Sequence, residues 1–355
     1  MATHTPAGRW KRRVGLSFLL FVVVLGAWLL ETTRRAGELA ELTPQPLECR
    51  KVPGVVGPED ITYDSRRGVA YISANDSRAE LQGRLATGAL YRWAPGDAVP
   101  KRLFDGAGKP FHPHGISLWS DGQGPDRLFV VNHQTRQLHS IEIFNVRDDG
   151  LEHVDSLLDP LLISPNDLVA VGRDELYVTN DHARSRGLGQ LLDDFLRRAR
   201  GQIVHVRAKS FRLLADDVAY ANGIHIRADG QVLYVSELAE KRLRVYQRMP
   251  ATGDLQLQRS IALEFAPDNI ERADDGRLYV ASHPRQISFL RHAFDPVVLS
   301  PSAVDRIQLE PTLNIERLYL DPGRELSASS VAAPLPGRLL IGSVFADYFL
   351  DCKLP

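Results

Sequence analysis

The sequence predicts an all-β fold, a six-bladed β-propeller, carried behind an N-terminal apolar helix. Three observations predict it. A short motif recurs six times at a spacing of roughly fifty residues. One cysteine stands at each end of the recurring part, and a single uncharged apolar run lies near the N-terminus.

The apolar run comes first in the chain. Val14 to Leu30 carries no charge, and Arg9, Lys11, Arg12 and Arg13 precede it. At about 1.5 Å of rise per residue, a run of this length is near the lower limit for crossing a bilayer. It ends Gly26-Ala27-Trp28-Leu29-Leu30, without the small-residue pattern of a cleavage site, which favours a retained anchor over a cleaved signal peptide. More basic residues precede the run than follow it, at Arg34 and Arg35, so the N-terminus is expected in the cytoplasm. The expected organisation is a basic cytoplasmic segment at 1–13, a single-pass transmembrane anchor at 14–30, a stem at 31–48 and the propeller at 49–355. The propeller then lies on the non-cytoplasmic side.

Each repeat opens on a polar pair followed by an aliphatic residue. The copies are Glu59-Asp60-Ile61, His114-Gly115-Ile116, Asn166-Asp167-Leu168, Asn222-Gly223-Ile224, Asp268-Asn269-Ile270 and Ser329-Ser330-Val331. A second strand follows each, as in Glu175-Leu176-Tyr177-Val178-Thr179 and Val232-Leu233-Tyr234-Val235-Ser236, with Gly or Asp turn residues between the two. Short β-branched and aromatic strands at this period read as propeller blades and exclude solenoids of paired helices. One stretch breaks the pattern. From Gly187 to Arg200, Leu188, Leu191, Leu192, Phe195, Leu196 and Ala199 share one helical face, beside Arg197, Arg198 and Arg200. This short amphipathic helix is expected to pack on the propeller, lie on a membrane surface or roof the site.

Cys49 and Cys352 are the only cysteines. In an exported chain, an even count at the two extremes favours one bridge, with two unrelated free thiols as the alternative. A bridge would tie the first strand to the last, which a closed ring needs.

In a propeller the inner strands all start at one end of the central channel, so the polar pairs converge. That gathers Glu59, His114, Asn166, Asn222, Asp268 and Ser329, with Asp60, Asp167 and Asn269 beside them. Carboxylates and carboxamides meeting on an axis require a cation, and an oxygen-only set of this size suits Ca²⁺ better than Zn²⁺ or Mg²⁺. Any one of these residues alone is an ordinary turn former.

Further segments carry a resemblance. Gly57-Pro58-Glu59-Asp60, Phe111-His112-Pro113-His114-Gly115-Ile116-Ser117, Val130-Val131-Asn132-His133, Thr179-Asn180-Asp181-His182, Ala221-Asn222-Gly223-Ile224 and Ser282-His283-Pro284 run between the two cysteines. With them the chain resembles the paraoxonase/arylesterase family of calcium-dependent lactonases. The resemblance implies a hydrolase of lactones and aryl esters with two calcium ions. The catalytic ion would take Glu59, Asn166, Asn222, Asp268 and Asn269; a structural one would take Asp60, Asp167 and the backbone carbonyl of Ile116. It also implies that the pair His114 and His133 activates water and that His283 lines the pocket. Ala74 to Arg84 departs from the family's short loop, so substrate preference does not transfer.

A formal net charge of −1 gives no basic field for nucleic acid. Neither a Gly-x-Ser-x-Gly elbow nor a Cys-x-x-Cys site is present. The implied partners are a small lactone or ester and, through the anchor, a membrane. Two other readings stand beside this one: a gluconolactonase-like sugar-lactone hydrolase, and a non-catalytic surface propeller that binds a protein.

Overall fold

The recurring motif folds, in every copy, as the innermost strand of a four-stranded antiparallel sheet. The computed structural model describes residues 6–184 and 200–354. The inner strands are Pro58–Asp64, Pro113–Trp119, Pro165–Gly172, Ala221–Ile226, Ala266–Arg272 and Ser329–Leu335. Each packs on the next and the last packs on the first, which closes six blades into a ring. The expected six-bladed propeller is therefore the observed fold. The helix expected at 187–200 lies outside the described residues, except Arg200, which belongs to no regular element.

Five blades are sequential hairpins. The sixth takes Ser329–Leu335, Arg338–Ser343 and Tyr348–Lys353 from the end of the chain, and its outermost strand, Cys49–Pro53, from the beginning. These strands pair antiparallel with Cys49 opposite Cys352, and the two sulfurs are bonded. Among the described residues no cysteine is free. Hydrophobic layers fill the spaces between blades, for example Ile61, Ile72, Trp93, Leu340 and Phe349 at the closing seam. There Trp93 meets Phe349 edge-on at 5.5 Å.

At the polar pair the ladder between first and second strand is interrupted in all six blades. Register jumps from Pro165 to Leu168, from Ala221 to Ile224, from Pro267 to Ile270, from Pro113 to Ile116, from Ser329 to Ala332 and from Pro58 to Asp60. A bulge re-aims side chains and releases backbone groups from the ladder. Proline precedes the pair in four copies, at Pro58, Pro113, Pro165 and Pro267, where it needs no ladder donor.

The apolar run belongs to one long helix, α1 (Pro6–Arg35), within which Val14–Arg35 is long and apolar enough to cross a membrane. The stem beyond it does not hang free. Gln45 bridges to Leu320, and Leu42 packs beside Phe265 and Leu320. Two short helices, α2 (Ser77–Leu81) and α3 (Gln286–Phe294), lie at the end of the ring where the inner strands start. Arg78 of α2 donates to the His292 carbonyl of α3 at 3.1 Å and joins them.

The closing strand has only one sheet neighbour, so the bridge at its end holds the seam. Replacing Cys352 with Ala should lower unfolding stability by about 2–5 kcal/mol. Non-reducing peptide mapping of the parent should return one Cys49–Cys352 linked pair. Unchanged denaturant unfolding in the variant would mean that the ladder alone closes the ring.

Candidate axial site

Because the ladder breaks at each polar pair, the pairs turn toward the axis and become buried. Glu59, Asp60, Asn166, Asp167, Asn222, Asp268 and Asn269 are all at least nine-tenths buried. The inner strands approach so closely that two repeats need glycine. A Cβ on Gly115 would lie 2.4 Å from Oδ1 of Asp167, and one on Gly223 would lie 2.6 Å from Cα of Asn269.

The acceptors divide into two groups. Asp60 and Asp167 are tied to backbone. Asp60 accepts from Ile61 N at 2.9 Å and, across blades, from Ile116 N at 2.7 Å. Asp167 repeats this with Leu168 N at 2.7 Å and Ile224 N at 2.8 Å. Both carboxylates therefore staple neighbouring blades.

The second group has no such partners. Oε2 of Glu59 and Oδ1 of Asn166, Asn222 and Asn269 are buried without a hydrogen bond. Glu59 Oε2 stands 3.2 Å from His114 Nδ1, but that nitrogen is directed to the Asn166 carbonyl at 2.9 Å. All four orphans are acceptors. Among the described residues no three His, Cys, Asp or Glu side chains form a metal cluster by themselves. What the site gathers is carboxylate plus carboxamide oxygen, a donor set that fits a hard cation.

Second-strand hydroxyls hold the carbonyls of the next blade's axial residues. Ser73 donates to His114 O, Thr179 to Asn222 O at 2.6 Å and Ser236 to Asp268 O at 2.7 Å. In the last blade the donor is instead on the inner strand, where Ser330 donates to Glu59 O at 2.6 Å.

Histidines form the rim. A carbonyl can only accept, so His114 Nδ1 carries a proton and the Nε2 lone pair of the neutral ring is left as acceptor. Burial pushes the His114 pKa down, against the nearby Asp268 and Asp181 carboxylates. The ring of His133 meets that of His114 edge-on at 5.3 Å. Nδ1 of His133 lies 2.8 Å from Nδ1 of His139, so a third histidine continues the pair. His283 is buried rather than open at the wall. Its Nε2 lies 2.8 Å from Asp268 Oδ2, and Phe289 of α3 covers it at 4.1 Å between ring centres. His139, Asp181 and Phe289 were not singled out by the sequence; only Asp181 lay within a quoted motif.

Electrostatics follow from this crowding. Burial, and then the charges of Asp268, Asp60 and Asp167, push Glu59 well above the usual carboxylate range. Burial does the same to Asp167, reinforced by Asp60. Asp60 is pushed up to about 7, its two backbone bonds only partly opposing burial.

Fold and site together define the class, a β-propeller whose axial site is lined with oxygen acceptors and rimmed with histidine. The arylesterase family pattern matches residues 103–354, and the chain belongs to the paraoxonase/arylesterase family. Serum paraoxonase/arylesterase 2 of Gallus gallus is 30% identical over 342 residues, covering 92% of this chain and 94% of that protein. Serum paraoxonase/arylesterase 1 of Homo sapiens is 32% identical over 249 residues, 69% of each. The ring is also similar in fold to the calcium-binding protein regucalcin of Agrobacterium tumefaciens. The TM-score is 0.54 at 14% identity, over 88% of this chain and 95% of that one.

A carboxyl whose native pKa exceeds its unfolded value holds protons better when folded. Deprotonation between pH 3.8 and about 7 therefore destabilises the native state. In chelator, the melting temperature should fall by several degrees as pH rises across that window. A flat or rising profile would show that the axial carboxylates are stable without a cation.

Proposed function

We propose that this protein is a calcium-dependent hydrolase of lactones and aryl esters. The observation that carries the reading is the set of four buried, acceptor-only orphans on the axis, from Glu59, Asn166, Asn222 and Asn269. Leaving each unpaired costs about 1–3 kcal/mol, and more for the carboxylate, so an empty site would be a standing penalty.

Glu59, Asn166, Asn222, Asp268 and Asn269 would hold one ion, and Asp60, Asp167 and the Ile116 carbonyl a second, structural one. Calcium bound there supplies a Lewis acid for an ester carbonyl and positive charge for the oxyanion. His283 fixes the Asp268 carboxylate through their 2.8 Å contact. His114 stays neutral because burial lowers its pKa, and its Nε2 takes the proton of the attacking water. The Asn166 carbonyl holds the ring in the tautomer this requires. His133 and His139 extend a path along which that proton can leave.

Family membership supports an ester or lactone substrate, since the relatives are named paraoxonase and arylesterase. The α2 loop, which joins α3 through Arg78, would set substrate preference. We further propose that the apolar run from Val14 to Leu30 is a retained single-pass anchor, with the propeller on the non-cytoplasmic side.

The test is hydrolysis of an aryl acetate and an acyl lactone by purified full-length protein, with and without chelator. Asp268→Ala should abolish turnover of both substrates. His114→Gln should lower lactone turnover by about 10²–10⁴-fold, with calcium affinity and melting temperature almost unchanged. Full lactonase activity in His114→Gln would assign water activation to another residue. Indifference to chelator would end the calcium reading.

A further inference from the structure

The stem that follows α1 reaches the wall of the axial site. Helix α3 begins without a side-chain cap of its own, since Arg285 at its N-cap makes no capping bond. The missing acceptors come from about 250 positions earlier in the chain. Ala36 O accepts from Gln286 N at 2.9 Å. The Glu38 carboxylate takes Ser288 N at 2.9 Å on Oε1 and Ser288 Oγ at 2.7 Å on Oε2. Arg285 returns the contact by donating to Ala40 O at 3.0 Å.

Between these contacts sits Gly37, buried and at φ +80. A Cβ there would fall 2.0 Å from the carbonyl oxygen of Pro284, the residue after His283. A negative side chain at the first turn of a helix also opposes the partial positive charge of its exposed amides. The stem therefore grips both ends of a short segment. One end carries His283 and Pro284, and the other carries Phe289, whose ring covers His283 at 4.1 Å. His283 in turn touches Asp268 at 2.8 Å.

We infer that Gly37 and Glu38 are positioning residues of the axial site: the stem clamps α3 so that Phe289 holds His283 against Asp268. An N-terminal segment trimmed beyond Glu38 would leave α3 uncapped and that wall loose. The inference rests on the proposed function only for what Asp268 and His283 do in turnover; the contacts themselves do not depend on it.

The experiment is carbethoxylation of full-length protein in detergent with diethyl pyrocarbonate, followed site by site by peptide mass mapping. His283 is 2% exposed and should react slowly in the parent. Glu38→Ala removes both bonds to Ser288 and should speed labelling at His283 about tenfold, through local opening of α3. Gly37→Ala should do the same by forcing the backbones apart. Glu38→Gln keeps an acceptor for Ser288 N and should return the rate close to that of the parent. His205, buried in the third blade away from the stem, should label at one rate throughout. If the proposed activity is also present, KM in Glu38→Ala should rise more than kcat falls. Unchanged labelling at His283 in both Glu38→Ala and Gly37→Ala would overturn the inference. Equal acceleration at His283 and His205 would overturn it too, since that marks general loosening. Neither result depends on whether the protein hydrolyses esters.

Discussion

Six strands that start at one end of a common axis bring their first polar side chains into a space with little water. Most of the site answers that crowding. Two carboxylates, Asp60 and Asp167, are partly satisfied by taking amides from the neighbouring blade, Ile116 N and Ile224 N. The hydroxyls of Ser73, Thr179, Ser236 and Ser330 occupy backbone carbonyls that the bulges have released. What remains is a residue of acceptors that no donor in the chain reaches. The protein thus sets oxygens that also hold the ring beside oxygens that no donor in the chain reaches. This arrangement makes a proposed ion site part of the architecture rather than an addition to it.

The same logic bears on the histidines. His114 sits at the margin of the crowded axis, with its side chain 26% exposed, close enough to lose protonation by burial and open enough to meet solvent. His283, three blades away around the ring, is fully enclosed and serves a single neighbour. The two histidines therefore have different chemical situations, set by depth.

The ring itself was legible in the sequence because the polar pair and the strand after it recur in phase, and phase survives divergence of the individual residues. The axial oxygens were legible for the same reason. Contacts between distant positions were not. Helix α3 has only nine residues and draws its cap from Glu38, so no local window carries its signal. His139 lies on a third strand, outside the repeating pair, and becomes visible only through its pairing opposite His133. The two roles of Asp60 and Asp167 were also hidden. A carboxylate bonded to a neighbouring blade's amide and one without such a bond look identical in sequence, and only the cross-blade contacts to Ile116 N and Ile224 N tell them apart.

The seam between Cys49–Pro53 and Tyr348–Lys353 has a consequence for how the molecule is made. Its two halves are separated by 303 residues, so the first strand waits while all of them are synthesised before its partner exists. At synthesis rates of about 5–20 residues per second, that wait is on the order of 15–60 seconds. Throughout it, Cys49 remains an exposed thiol on an unpaired strand, and the first blade lacks one flank. Five blades can assemble as hairpins while the chain emerges, but the circle closes only once Tyr348–Lys353 is available to Cys49–Pro53. Nascent chains interrupted before residue 348 would carry five finished blades, yet stay open and adhesive along one whole edge.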